Sequence, residues 1–269
     1  MTGRSRAVLI ILLLFLAGSA AAPFLPFPDP LTIDLDHLKQ PPSSAHPFGT
    51  DSKGRDVLSR VLHGGVISIS VALVAAAVSA LIGFSVGLVS GYFGGKTDTV
   101  LMALVDFLLS FPSLLLAVAI SVVLPPGIYS VMIALSVVGW TSFARLVRGH
   151  VLTLKESSFV EAARAVGCGH MRVLVRHIAP LCLPLALVMA GIKLGGFVLA
   201  EATLSFLGLG AQPPAPTWGA MISASRAYII TAPWTVFFPG AALTLTALCF
   251  NILGEELRGR FELKGLREG

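Results

Sequence analysis

Charged residues are scarce in this sequence. Asp, Glu, Lys and Arg together make up 12% of its 269 residues, whereas a soluble globular domain carries about 25%. Hydrophobic residues make up 55%, and the mean hydropathy is +0.86. This balance excludes an ordinary soluble enzyme or binding module and predicts an integral membrane protein.

Cysteine is also scarce, and the three cysteines are scattered at Cys168, Cys182 and Cys249. An odd number of cysteines without a C-x-x-C pair provides neither a disulfide framework nor a zinc site. The six histidines form no H-E-x-x-H pattern, and no nucleophile–base arrangement is visible. We therefore predict no catalytic residues and no metal site.

A nucleotide-binding loop is missing as well. Gly94-Gly95-Lys96-Thr97 resembles the end of a Walker A loop. That loop requires a glycine five residues before its last glycine, and Ser90 occupies the position. The stretch also follows an apolar helical segment rather than a strand. We expect a cytosolic turn there, and no cofactor bound by this chain.

Six long apolar segments run through the sequence. A bilayer is crossed by about 20 apolar residues, so the pattern predicts an all-α integral membrane protein with six transmembrane helices. Arg4 and Arg6 precede the first segment, which could also be a cleaved secretory signal. Pro112 is expected to kink the third segment. The six predicted spans cover residues 7–27, 66–92, 100–124, 128–144, 178–200 and 234–253.

A few polar residues interrupt the predicted spans. Ionisable groups inside a membrane are costly and usually face a cavity or a partner. Asp106, Ser110, Lys193 and Glu201 are therefore candidates for lining a pathway. For Asp106 the alternative is an interfacial cap or a structural ion pair. Lys193 and Glu201 could instead pair with each other or snorkel to water.

The stretch between the fourth and fifth spans is basic and polar. It contains Glu161-Ala162-Ala163, which favours a helix, and Gly167, where a helix can end and turn. Ile178-Ala179-Pro180 follows, and residues 171–177 could form a second short helix. A cytosolic partner can bind a short helix between two spans and move the spans to which the helix is attached.

This stretch resembles the EAA loop of permease subunits in ATP-binding-cassette (ABC) importers. The resemblance implies that the loop docks on a separate ATPase subunit. Glu161 would then face a basic group of the ATPase, Ala162 and Ala163 would permit close packing, and Gly167 would make the bend.

A second motif lies in the polar segment 28–65. It resembles the G-T-D-x-x-G-R-D-x-x-S-R signature of C-type permease subunits for dipeptides, oligopeptides and nickel. Val57 and Leu58 begin an apolar face at helical spacing, which predicts an interfacial amphipathic helix. The signature positions in this sequence are Gly49, Thr50, Asp51, Gly54, Arg55 and Asp56.

The resemblance implies a type I ABC importer permease fold with a cytosolic coupling helix. We expect an N-terminal helix and external segment over 1–65, a transmembrane domain over 66–254 with its coupling loop at about 149–177, and a cytosolic tail over 255–269. The implied partners are a B-type permease subunit, two ATPase subunits that bind ATP and Mg²⁺, an extracytoplasmic solute-binding protein and the lipid bilayer. An ion-gradient-driven secondary transporter is the alternative.

The distribution of Lys and Arg gives the expected orientation. Thirteen of these residues lie in segments assigned to the cytosol and five in segments assigned to the outside, as the positive-inside rule requires. We therefore expect a protein of the bacterial cytoplasmic membrane with both termini in the cytosol. The net charge of +5 reflects this topology and does not indicate nucleic-acid binding. Peptide and nickel permeases share these motifs, but no span holds a cluster of His, Cys or Met, which favours peptides.

Overall fold

The computed structural model describes residues 3–21 and 27–265. Its regular secondary structure is helical, and no strand occurs in these two ranges. The α-helices are α1 (Gly3–Ala21), α2 (Val57–Phe93), α3 (Gly95–Leu109), α4 (Ser113–Val123), α5 (Ile128–Leu154), α6 (Ser158–Ala165), α7 (His170–Arg172), α8 (Ala179–Phe206), α9 (Trp218–Ser225) and α10 (Trp234–Gly265).

Four continuous helices among the described residues are long and apolar enough to cross a membrane: α2, α5, the stretch His170–Phe206, and α10. The pair α3 and α4 passes the same test together and would make a fifth span. The remaining predicted span corresponds to α1, whose 19 residues fall within the ~17–25 needed to cross a bilayer. The predicted all-α membrane fold is confirmed.

The third predicted span is broken into two helices. Between Leu109 and Ser113 the axis bends by 89°. Pro112 stands at the break and has no N–H to continue the α3 ladder, while its ring disfavours helical geometry at Phe111. The expected kink at Pro112 is therefore confirmed, and it amounts to a full break.

Close contact between α2 and α5 forms the centre of the fold. Gly83, Gly87 and Gly91 lie one helical turn apart on α2 and face the backbone of α5. A Cβ atom added at Gly83 would lie 2.4 Å from the carbonyl oxygen of Trp140. Such small-residue stripes let helices in a membrane approach closely, as the spacing of these glycines predicts.

The predicted interfacial amphipathic helix after residue 55 is wrong. α2 begins at Val57 and continues without a break to Phe93. Ser59 and Arg60, expected on a solvated face, are buried. The Nη1 group of Arg60 donates to the carbonyl oxygen of Pro30 at 2.7 Å. The polar face therefore turns toward the preceding segment, which covers it.

The predicted separate helix at 171–177 is also wrong, because helical structure runs unbroken from His170 to Phe206. Val173–Ile178 forms a π-helical turn between α7 and α8, and the N–H of Ala179 donates to Leu174. Pro180 lies in the first turn of α8 and has no N–H to donate to the carbonyl oxygen four residues earlier. The loss of this α-helical hydrogen bond accounts for the π-helical turn, in which an N–H bonds to the carbonyl five residues earlier.

Two further boundaries differ from expectation. α5 continues to Leu154 and the next long helical stretch opens at His170, so both helices extend into the predicted loop 149–177. α10 continues to Gly265, so most of the segment expected as a tail prolongs the last helix.

Candidate functional site

The short helix predicted to bind a partner is present as α6. Val160 is fully buried and Ala163 is 8% exposed. Both pack in a cluster with residues at the C-terminal ends of α2 and α5 and near the start of the helical stretch His170–Phe206, such as Val151 and Ile178. Glu161, Ala162 and Arg164 are exposed on the other side. α6 is therefore held along one face and leaves Glu161 free to meet another molecule.

Gly167 ends this helix in a left-handed conformation, with φ of +84°. The N–H of Gly167 donates to Arg164 at 2.9 Å, and the N–H of Cys168 donates to Ala163 at 3.0 Å. These two bonds form a Schellman cap. A Cβ at Gly167 would have no atom within 4 Å, so only the backbone conformation calls for glycine there. The predicted bend is confirmed.

Tyr92 connects α6 and α7 to the C-terminal end of α2. Its hydroxyl lies 3.1 Å from Nδ1 of His170. The guanidinium of Arg164 lies over its ring, 5.5 Å from the centroid. These two contacts link α6 and α7 directly to α2. The sequence analysis missed Tyr92, although an aromatic residue at the end of a span is an available signal.

Two ion pairs join α3 to α5. Asp98 accepts two hydrogen bonds from Arg148, at 2.5 and 2.6 Å, and one from the hydroxyl of Ser90. Asp106 pairs with Arg145, and both side chains are more than half exposed. Asp106 thus makes the ion pair that was its alternative role, and sequence reasoning missed Asp98.

A cavity of about 540 Å³ opens between the broken helix pair, α5 and α8. Lys193 lines it, and its amine donates to the hydroxyl of Ser142 at 3.0 Å. Ser113 and Asn251 also line the cavity, whereas Asp106 and Ser110 lie outside the lining. Of the four pathway candidates, only Lys193 lines this cavity.

Glu201 lies in the packed C-terminal part of α8. Its side chain is 2% exposed and accepts a hydrogen bond from Ser205 at 2.7 Å. α9 packs tightly beside it, since a Cβ at Gly219 would lie 2.1 Å from the carbonyl oxygen of Ala202. Glu201 and Lys193 therefore have different partners and separate surroundings.

The signature segment folds into a compact cap on the N-terminal ends of α2 and α10. Asp51 holds the side chains of Arg55, at 2.7 Å, and Arg60, at 3.7 Å. The carbonyl oxygen of Thr50 accepts from the indole N–H of Trp234 at 3.0 Å, which ties the segment to α10.

Asp56 and Gly54 complete this cap. Asp56 caps α2 by accepting from the N–H of Ser59 at 2.7 Å, and His46 contacts its second oxygen at 2.9 Å. Gly54 has a φ of +73°, and a Cβ there would lie 1.6 Å from the carbonyl oxygen of Asp34. The signature residues therefore hold the cap together and fix the start of α2.

Comparison with known proteins gives a consistent result. Residues 83–262 match the family described as binding-protein-dependent transport system inner membrane component. The glutathione transport system permease protein GsiD of Pectobacterium atrosepticum (strain SCRI 1043) is 40% identical over 258 residues, covering 96% of this chain and 86% of the relative. GsiD of Escherichia coli O6:K15:H31 (strain 536) is 42% identical over 258 residues, covering 96% and 85%.

Among solved structures, the MetNI methionine ABC transporter in an inward-facing conformation matches with a TM-score of 0.60. The match is 21% identical and covers 74% of this chain and 95% of the other. It shows a shared fold. The family match, the relatives and the fold together show that this chain belongs to the binding-protein-dependent transport system inner membrane components, as a permease subunit of an ABC importer.

Proposed function

We propose that this chain is the C-type permease subunit of an importer for small peptides. The GsiD relatives are named for glutathione, a tripeptide, and the outer signature resembles that of peptide and nickel permeases. The chain would form half of the translocation pathway. A B-type permease subunit would supply the other half, and an external solute-binding protein would deliver the substrate.

The observation that carries this proposal is the arrangement of α6. One face is buried among the inner ends of three spans, and the opposite face presents Glu161. A basic group on an ATPase subunit could grip this face, and the contacts of Tyr92 would pass the movement to α2. ATP and Mg²⁺ would be bound by two such ATPase subunits and not by this chain.

The same arrangement sets the proposed orientation. With α6 on the cytosolic side, the cap formed by residues 28–56 lies outside, where a solute-binding protein can reach it. Both chain termini then lie in the cytosol, in agreement with the Lys and Arg distribution.

Transport by the complete complex in proteoliposomes tests the proposal. Uptake of labelled glutathione and of dialanine is measured with ATP present or absent and with the binding protein present or omitted. We expect peptide uptake that requires both ATP and the binding protein. Uptake of ⁶³Ni²⁺ without peptide uptake would refute the substrate class, and peptide uptake by this chain alone under an ion gradient would refute ATP coupling.

A further inference from the structure

The cavity between the helices has a distinctive charge. Of the residues that line it, Lys193 alone is ionisable. The other polar side chains in the lining are Ser113, Thr141, Ser142 and Asn251. The remaining lining residues are apolar or glycine. At about 540 Å³ the cavity falls in the ~300–1,000 Å³ range of small-molecule sites.

Lys193 lies far from both ends of its helix. It precedes Phe206 by 13 positions, or about 20 Å at 1.5 Å per residue, and lies farther still from His170, where the helical stretch begins. Its amine reaches across the cavity to Ser142 on α5 rather than along the helix toward water. Snorkelling, the ordinary way to accommodate a membrane lysine, therefore does not describe this side chain.

A cation within a membrane-spanning helix calls for a counter-charge or another polar partner. None of the ion pairs formed within the described residues includes Lys193. Its recorded polar partner is the neutral hydroxyl of Ser142. Arg145 and Arg148, one and two helical turns beyond Ser142, are instead neutralised by Asp106 and Asp98. The positive charge facing the cavity thus lacks the carboxylate that its neighbours have.

We propose that Lys193 and Ser142 form a carboxylate-binding subsite for a peptide in transit. This inference rests on the proposed peptide-importer function. The ammonium group supplies the charge, and the hydroxyl on the facing helix supplies a second donor, which together match one carboxylate of a peptide. The same positive charge repels a divalent metal ion. The subsite therefore selects peptide over nickel, between which the signature motifs do not discriminate.

Chemical restoration of the charge on the assembled complex tests this assignment. Lys193→Cys is made in a chain whose three native cysteines are replaced by alanine, and the complex is reconstituted with its partner subunits. The cysteine is then treated with aminoethyl, methyl or sulfonatoethyl methanethiosulfonate. These reagents attach a lysine-like cation, a neutral group or an anion to the same folded protein. The transported probe is S-methylglutathione, which has no free thiol to remove the label.

We expect Lys193→Cys to lower the uptake rate about tenfold or more, the size of a lost hydrogen bond to a charged group. The aminoethyl label should restore most of it, and the neutral and anionic labels should not. Bound peptide should also slow the labelling of this cysteine. Equal restoration by the neutral label, or labelling unaffected by peptide, would overturn the subsite.

Two controls separate the possible failures. Ser113→Cys, which lines the same cavity, should show no gain from the aminoethyl label, and the cysteine-free chain should not respond to the reagents. If Lys193→Cys fails to assemble, Lys193→Arg and Lys193→Gln replace it, with uptake retained by the first and lost by the second. If the wild-type complex imports no peptide, the proposed function fails; if it does but Lys193→Gln transports normally, only the subsite fails.

Discussion

Arg148 on α5 holds both carboxylate oxygens of Asp98 in the first turn of α3, through Nε at 2.5 Å and Nη2 at 2.6 Å. The pair fixes the N-terminal end of α3, whose C-terminal end lines the cavity through Leu108 and Leu109. One turn after Arg148, Val151 packs in the same cluster as Val160 of α6. The ion pair thus joins a helix of the cavity wall to the part of α5 that packs against α6.

Removing this pair should destabilise the chain. Asp98→Asn leaves a partly buried guanidinium without its counter-charge, and we expect unfolding to become easier by about 1–3 kcal/mol. Thermal unfolding of the purified chain in detergent measures this. Asp106→Asn is the matched control, because its pair with Arg145 is exposed and should contribute less than about 1 kcal/mol. An equal loss for both variants would contradict the assigned roles.

Asp106→Asn also tests a pathway role, which requires lower peptide uptake by a fully assembled complex.

Glu161→Lys should weaken attachment of the ATPase without harming the fold. The side chain is exposed, so stability should change by no more than about 0.5 kcal/mol. Co-purification of the ATPase and substrate-stimulated ATP hydrolysis should both fall. A new acidic residue on the ATPase should restore part of the activity. Glu156→Lys, an equally exposed charge reversal before α6 begins, is the control; the same loss there would show that Glu161 has no special role.

Gly167→Val should disrupt coupling through the backbone. A β-branched residue at φ of +84° is strained by about 1–3 kcal/mol, although the space around the position is open. We expect a protein that reaches the membrane but couples ATP hydrolysis to uptake poorly, and no charge change on the ATPase should help. Gly169→Val, at φ of −67°, should be tolerated far better. Normal coupling in Gly167→Val would show that coupling does not require the capped bend.

Gly54→Ala should disorder the outer cap. The new Cβ meets the carbonyl oxygen of Asp34 in a backbone conformation that already favours glycine. Trypsin added to the outer face of right-side-out vesicles should cleave the variant at Lys39 or Lys53 faster than the wild type. Ser44→Ala, an exposed position in the same segment, should cleave at the wild-type rate. Equal protection in both variants would contradict the structural role of Gly54.

Cysteine labelling tests the orientation. In the cysteine-free chain, Ser44→Cys should react with an impermeant maleimide in intact cells, because the proposed orientation places the cap outside. Glu156→Cys should react only after the membrane is permeabilised. The reverse pattern would invert the topology and move α6 away from any cytosolic ATPase.

Several features of this protein follow from the sequence alone because their causes are local. An apolar run of bilayer length predicts a span wherever it occurs, and Pro112 breaks its helix because it lacks an N–H. Gly167 ends α6 by a cap within six residues. The two motifs likewise indicate the family from short stretches of chain.

Other features depend on contacts between distant residues, and only the tertiary structure decided them. Arg60 looks solvated in sequence, yet the segment ending near Pro30 folds back to bury it. Lys193 and Glu201 are similar as intramembrane charges, but the broken α3–α4 pair opens a cavity beside the first, while α9 packs beside the second. The burial of a side chain is set by whichever element lies against it, and that arrangement arises only when the helices pack.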